Sequence, residues 1–207
     1  MAEAAIATAH PGAAHPFAGV DNKKLGMWLF LGSDAMGFTG LLGAYAVLRP
    51  SAGPKWMVLP GTTEPFHLGE TAVLTGFNTF LLICSSVTMV LALKNLRAGS
   101  LGRFKAFLAA TMLGGVGFLT IQAVEWTHLI HSGVTAPSSL FGATFFVLTG
   151  FHGFHVFGGV CLLSWALVRS LKGVYSPSNS VGIEVVGLYW HFVDLVWILL
   201  FTLIYLL

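Results

Sequence analysis

The sequence predicts an all-α integral membrane protein, a bundle of five transmembrane helices with its N-terminus in the cytoplasm and its C-terminus in the periplasm. Three observations carry this reading. Of the 207 residues, 56% are hydrophobic and only 9% charged, with a mean hydropathy of +0.82, whereas a soluble domain carries about a quarter charged residues. Five apolar stretches, 25–48, 71–93, 106–129, 139–167 and 182–205, are each long enough to cross ~30 Å of hydrocarbon, which takes roughly 20 helical residues. The basic residues then divide unevenly between the two sides. Lys23, Lys24, Lys94, Arg97, Arg103, Lys105, Arg169 and Lys172 fall on one side and only Arg49 and Lys55 on the other, which places the first side in the cytoplasm.

Taken in order, residues 1–24 are rich in Ala, His and Pro and contain no long apolar run. They read as a flexible N-terminal tail ahead of a five-helix domain covering 25–207. Two Ala-His-Pro triplets, at Ala9 to Pro11 and Ala14 to Pro16, are expected to belong to that lead-in and not to a metal site. The first connection, 49–70, is long and rich in Pro and Gly. The other three are short, so consecutive helices should pack as antiparallel neighbours. Glycines recur on the first helix (Gly26, Gly32, Gly37, Gly40, Gly43), the third (Gly114, Gly115, Gly117) and the fourth (Gly150, Gly153, Gly158, Gly159). In lipid such positions let backbones approach closely, so some should serve the bundle and others a partner subunit. Cys84 and Cys161 are far apart in apolar segments and read as small buried hydrophobes. A net charge of +2, with no basic run, excludes nucleic acid as a partner.

The informative residues are the ionisable ones inside the apolar stretches, because each costs at least ~2.5–3.5 kcal/mol near a helix centre unless it has a partner or a purpose. Asp34 lies about ten residues, on the order of 15 Å, into the first helix. Glu125 and His128 are three apart near the outer end of the third, His152 and His155 three apart in the fourth, and His191 and Asp194 three apart in the fifth, with Glu184 near that helix's inner end. Three uses of this set stand open on the residues alone. Glu125-x-x-His128 has the spacing of di-iron helices, but such a bundle needs two of these pairs and two further glutamates. A deep carboxylate suits an ion or proton carrier, although no internal repeat is visible. The third use is a network of interhelical hydrogen bonds made by Glu125, His152, His155, His191 and Asp194. In it His191 and Asp194 would reach His152 or His155, and Glu125 would reach one of the histidines.

The wording of these segments is more specific than their spacing. The stretch 143–155, Ala-Thr-Phe-Phe-Val-Leu-Thr-Gly-Phe-His-Gly-Phe-His, is followed by 189–197, Tyr-Trp-His-Phe-Val-Asp-Leu-Val-Trp. Together they resemble subunit III of haem-copper terminal oxidases, in its short five-helix form. Gln122-Ala-Val-Glu125-Trp126 resembles the glutamate segment of that family's preceding helix, and Leu29-Phe-Leu-Gly-Ser-Asp34 occupies the place of its early intramembrane carboxylate. The matches run in order from residue 25 to the end. Two departures accompany them. Many members have seven helices, with a lipid-filled cleft between the first two and the remaining five; this chain is expected to correspond to the last five, with half of that cleft missing from it. The family carboxylate is commonly glutamate, and Asp34 is one methylene shorter.

The resemblance implies a non-catalytic subunit of a proton-pumping respiratory oxidase, an aa3-type cytochrome c oxidase, in a bacterial inner membrane. Such a subunit stabilises subunit I, holds lipid and supports proton uptake in aerobic electron transport. A quinol oxidase is the alternative; an ion carrier or a di-iron membrane enzyme is a remote one. Haem and copper would reside in partner subunits I and II, with bound phospholipid but no metal or catalytic residue in this chain. Subunit I is the implied main contact, with subunit II and a small subunit IV beside it. Asp34 is the implied intramembrane carboxylate, and Arg169 and Lys172 are implied to hold lipid headgroups.

Overall fold

The computed structural model describes residues 21–58 and 69–206, and they are helical almost throughout. The N-terminal Ala-His-Pro triplets lie outside the described residues. Five helices are long and apolar enough to cross a membrane: α1 (Asn22–Ala52), α2 (Gly69–Arg97), α3 (Leu101–His131), α4 (Leu140–Leu171) and α5 (Val181–Phe201). A π-helical segment, Thr202–Leu206, continues α5. The helices run a few residues past the apolar stretches at most ends, because polar residues at the ends still complete helical turns. Residues 22–24, expected in the tail, already belong to α1. Asp21 starts that helix by accepting the backbone N–H of Lys23 at 2.8 Å, and Ser139 starts α4 by accepting that of Gly142 at 3.0 Å.

Three helices stop by the same device. Gly99, Gly133 and Gly173 have φ of 77°, 86° and 73°, and the next residue's N–H returns to a carbonyl five residues back: Ser100 to Asn95, Val134 to Leu129, Val174 to Arg169. Glycine is the residue that reaches this left-handed conformation without a Cβ penalty, so each helix reverses within a few residues.

α2, α3, α4 and α5 form a closed ring in which each packs against the next and α5 returns to α2. α1 lies outside the ring, against α5 and α4. Only Leu31, Phe38 and Tyr45 of α1 are buried, a spacing of seven that keeps one narrow face inward. Inside the ring two indoles fill the centre. Trp190 and Trp197 are fully buried, and their N–H groups donate to Ser85 Oγ at 3.0 Å and Thr79 Oγ1 at 2.9 Å. One glycine of α3 and one of α4 make room for Trp190. A Cβ on Gly115 would come within 2.5 Å of the Trp190 ring, and one on Gly159 within 2.7 Å. The glycines of α1 behave differently. A Cβ on Gly32, Gly37, Gly40 or Gly43 would meet no atom within 4 Å, so that row packs against nothing in the described chain. The thiols are also more outward than expected: Cys84 is half-buried and Cys161 exposed. A weakly polar thiol loses nothing by facing lipid instead of the core.

Candidate functional site

The ionisable residues of the apolar helices do not converge on one centre. They are distributed along the bundle as separate junctions between helices. Toward the end away from the basic residues, Glu125 of α3 is 2% exposed, and its Oε1 accepts two hydroxyls, Thr75 of α2 and Tyr205 of the π-helical segment, each at 2.6 Å. Three elements therefore meet on one carboxyl oxygen. Nearer the middle, Asn78 of α2 donates to the Phe118 carbonyl of α3 at 3.2 Å, and Gln122 of α3 donates to the Thr149 carbonyl of α4 at 2.9 Å. His152 of α4 is fully buried and stacks on Trp197 with ring centroids 4.8 Å apart. Among the described residues, neither of its ring nitrogens has a hydrogen-bond partner.

The outer helix is joined at three levels. At the basic end, Lys24 of α1 pairs with Glu184 of α5 at 2.7 Å, and Glu184 also pairs with Arg97 of α2 at 2.6 Å. Half-way along, Asp34 Oδ1 of α1 lies 3.1 Å from His155 Nε2 of α4. At the far end, Tyr45 and Arg49 of α1 both donate to the Leu203 carbonyl, at 3.1 and 3.2 Å. The π-helical segment thus supplies Leu203 to α1 and Tyr205 to α3. On α5, His191 Nδ1 is 3.1 Å from the Ser86 hydroxyl of α2, and Asp194, one turn on, is buried. On the outward face of α4, the Arg169 guanidinium lies 4.7 Å from the centre of the Trp165 ring, a cation–π arrangement at the basic end.

The pairing expected from sequence is therefore corrected in detail. Glu125 meets hydroxyls and not a histidine. His191 meets Ser86 and not His152 or His155, Asp194 is buried with no hydrogen bond to either histidine among the described residues, and His152 takes part through ring stacking. Asp34 is the group that reaches His155. The physical reason is ring closure: α5 has α2 as well as α4 for a neighbour, and α2 presents Thr71, Thr75, Asn78, Thr79, Ser85 and Ser86 to the interior, all buried. Sequence reasoning overlooked this row because none of its members is ionisable. Its signal was present in the i, i+4 recurrence of Thr71, Thr75 and Thr79 along an otherwise apolar helix, since hydroxyls in membrane helices commonly bond across helices. Among the described residues, no group of three or more His, Cys, Asp or Glu side chains is placed to hold a metal ion.

This arrangement can join helices, and its residues can be compared with those of known proteins. Residues 3–207 match the family described as cytochrome c oxidase subunit III. The chain belongs to that family. It is 38% identical to the cytochrome c oxidase subunit 3 of Bacillus subtilis (strain 168) over 89% of this chain and 86% of that protein. It is 37% identical to a probable cytochrome c oxidase subunit 3 of Mycobacterium leprae (strain TN), over 88% of this chain and 86% of the relative. A quinol oxidase subunit 3 of Bacillus subtilis (strain 168) is equally near, at 37% over 88% of this chain and 85% of its own length. Membership of the subunit III family makes the chain a multi-pass component of a terminal oxidase complex, with other oxidase subunits as its partners. In that setting, the outward-facing glycine row of α1 and the large exposed side chains Trp28, Leu29 and Met36 are surfaces available to lipid and to those subunits.

Proposed function

We propose that this chain is the non-catalytic subunit III of a proton-pumping, aa3-type cytochrome c oxidase of a bacterial cytoplasmic membrane. It stabilises subunit I, retains phospholipid and supports proton uptake in aerobic electron transport. Haem and copper reside in subunits I and II. Subunit I is the main contact, and subunit II and a small subunit IV complete the complex. The N-terminus faces the cytoplasm, as the eight-to-two distribution of basic residues favours.

The observation that carries this reading is the near full-length similarity, at 37–38% identity, to relatives called cytochrome c oxidase subunit 3. The junctions support a mechanical role: Glu125, His155 and His191 each serve a contact between different helices. Arg169 and Lys172 stand at the basic end of α4, where Trp165 is half exposed beside Arg169. An indole beside a guanidinium at that depth suits the boundary of a membrane with anionic headgroups. A quinol oxidase is the second reading, supported by 37% identity to the quinol oxidase subunit 3 of Bacillus subtilis.

Purification of the tagged chain from its native membrane tests the proposal. Copurifying larger subunits with haem absorption bands, and oxygen consumption driven by reduced cytochrome c, are the expected results. Oxygen consumption driven by quinol but not by cytochrome c selects the second reading. A colourless protein purified alone refutes both.

A further inference from the structure

The π-helical turn Thr202–Leu206 is held from two sides by residues two apart. The Leu203 carbonyl accepts the Tyr45 hydroxyl of α1 at 3.1 Å and the Arg49 guanidinium of α1 at 3.2 Å. The Tyr205 hydroxyl donates to Glu125 Oε1 of α3 at 2.6 Å. Its ring lies against Phe145 of α4 and Phe201 of α5, with ring centroids 6.1 and 5.5 Å apart. A π turn closes its hydrogen bonds five residues back and not four, and such turns are rare, occurring mostly as single turns joined to α-helices. Were the chain to continue α5 in the α-helical register, each residue from 202 on would be rotated about the helix axis. The Leu203 carbonyl and the Tyr205 hydroxyl would then both leave their present directions. One backbone register therefore serves both contacts.

We infer that this turn is a clasp that couples the seating of the far end of α1 to the Glu125 junction. Glu125 holds Tyr205, Tyr205 holds the turn in its π register, and that register directs the Leu203 carbonyl at Tyr45 and Arg49. Glu125, whose hydrogen bonds go to α2 and to the turn, thereby acts as a positioning residue for α1. Glu125 and Tyr45 are both almost fully buried, so a bond lost at either one is not made good by water. The far end of α1 also meets the ring through Trp56, which packs against Tyr45 at 5.4 Å and against Phe141 of α4 at 6.1 Å. Those ring contacts set no single direction for the helix. The next polar link along α1, from Asp34 to His155, is eleven residues back, roughly 16 Å along the axis. The clasp is therefore the directional contact at this end among the described residues. α1 packs chiefly on α5 and α4 and presents its glycine row outward, so the tilt of that surface toward lipid and the other oxidase subunits is set in part from α3.

Hydrogen exchange followed by mass spectrometry on the purified complex tests the clasp, read at the amides of residues 44–49 in α1. Tyr205→Phe removes the hydroxyl and keeps the ring, and Glu125→Leu removes the acceptor. Each should speed exchange at 44–49 by roughly threefold or more, the change expected when an interhelical hydrogen bond of average strength is lost. Gln122→Leu is the comparator. It removes the bond from α3 to the Thr149 carbonyl, which does not involve the turn, and should leave 44–49 as in the wild type. Coupling is reciprocal, so Tyr45→Phe combined with Arg49→Leu should in turn speed exchange at 202–206. Unchanged exchange at 44–49 in Tyr205→Phe overturns the clasp. An equal acceleration in Gln122→Leu also overturns it, because any weakened ring junction would then loosen α1. Unchanged exchange at 202–206 in the α1 double variant removes the coupling from the other side. If Glu125→Leu prevents the complex from accumulating, Tyr205→Phe and the α1 double variant decide the matter.

Discussion

Replacing Glu125 by leucine removes the acceptor on which α2, α3 and the end of α5 converge. Two hydrogen bonds of 2.6 Å are lost; the Tyr205 hydroxyl loses its partner, while that of the fully buried Thr75 keeps only the Thr71 carbonyl of its own helix at 2.8 Å. Interhelical hydrogen bonds within membranes average about 0.6 kcal/mol and reach about 1.7. The pair is thus worth about 1–3 kcal/mol, because the carboxyl group is a strong acceptor and both bonds are short. For a chain of this size, each kcal/mol corresponds to roughly 2–4 °C in a thermal midpoint, so Glu125→Leu should lower the temperature at which the chain leaves the complex by several degrees. Glu125→Gln keeps an oxygen in place for both hydroxyls and should cost less than about half as much. Tyr205→Phe and Thr75→Val should each remove a share. The double variant Glu125→Leu with Tyr205→Phe should fall short of the sum of the single effects, since one bond is counted in both. Thermal dissociation of the purified complex, followed on native gels, measures all five. Equal damage from Glu125→Gln and Glu125→Leu, or strict additivity with Tyr205→Phe, would refute the reasoning.

Three further outcomes follow from the same geometry. Glu184→Gln breaks the bridge from Lys24 to Arg97, a partly exposed pair of contacts worth about 0.2–1 kcal/mol each. Thermal dissociation should show a small loss at low ionic strength that shrinks in molar salt, because screening weakens the wild-type contacts too. Gly115→Leu forces a side chain into Trp190 and should prevent accumulation of a folded chain, whereas Gly40→Leu should leave helical content by circular dichroism unchanged, because no neighbour lies within 4 Å of that site. Arg169→Ala combined with Lys172→Ala should lower the anionic phospholipid that copurifies with the complex, read by mass spectrometry. An unchanged lipid content removes both residues from headgroup binding.

The structure also separates two kinds of glycine that look alike as residues. Gly115 and Gly159 are spaces that the Trp190 ring fills, and a methyl group there would meet it at 2.5–2.7 Å. The row from Gly32 to Gly43 leaves a smooth strip on the outside of α1. Both patterns are short-spaced glycines in apolar helices, and only the placement of a neighbour distinguishes packing inside the chain from a surface offered to something else.

Much of the architecture was legible in the residues themselves. Length, apolar content and the need to satisfy every backbone group in lipid leave helices as the spanning element for stretches of this kind, and the glycines after α2, α3 and α4 mark where three of them stop. The identity of the ionisable residues in the apolar stretches was equally plain, since charge in hydrocarbon is costly wherever it falls, whereas the hydroxyl row of α2 was not singled out. Which atom each one meets was not. Spacing along one helix shows that His191 and Asp194 share a face, but not that the face turns to Ser86 of α2. Nor could spacing show that Asp34 on the outer helix reaches His155, or that Glu125 holds Tyr205 from a π-helical turn eighty residues away. Those contacts depend on the order of helices around the ring and on the rotation of each about its axis. Both are set by side-chain packing between segments far apart in the chain. Periodicity within a segment records which residues lie together on a face, while the partner of that face is decided only when the bundle closes.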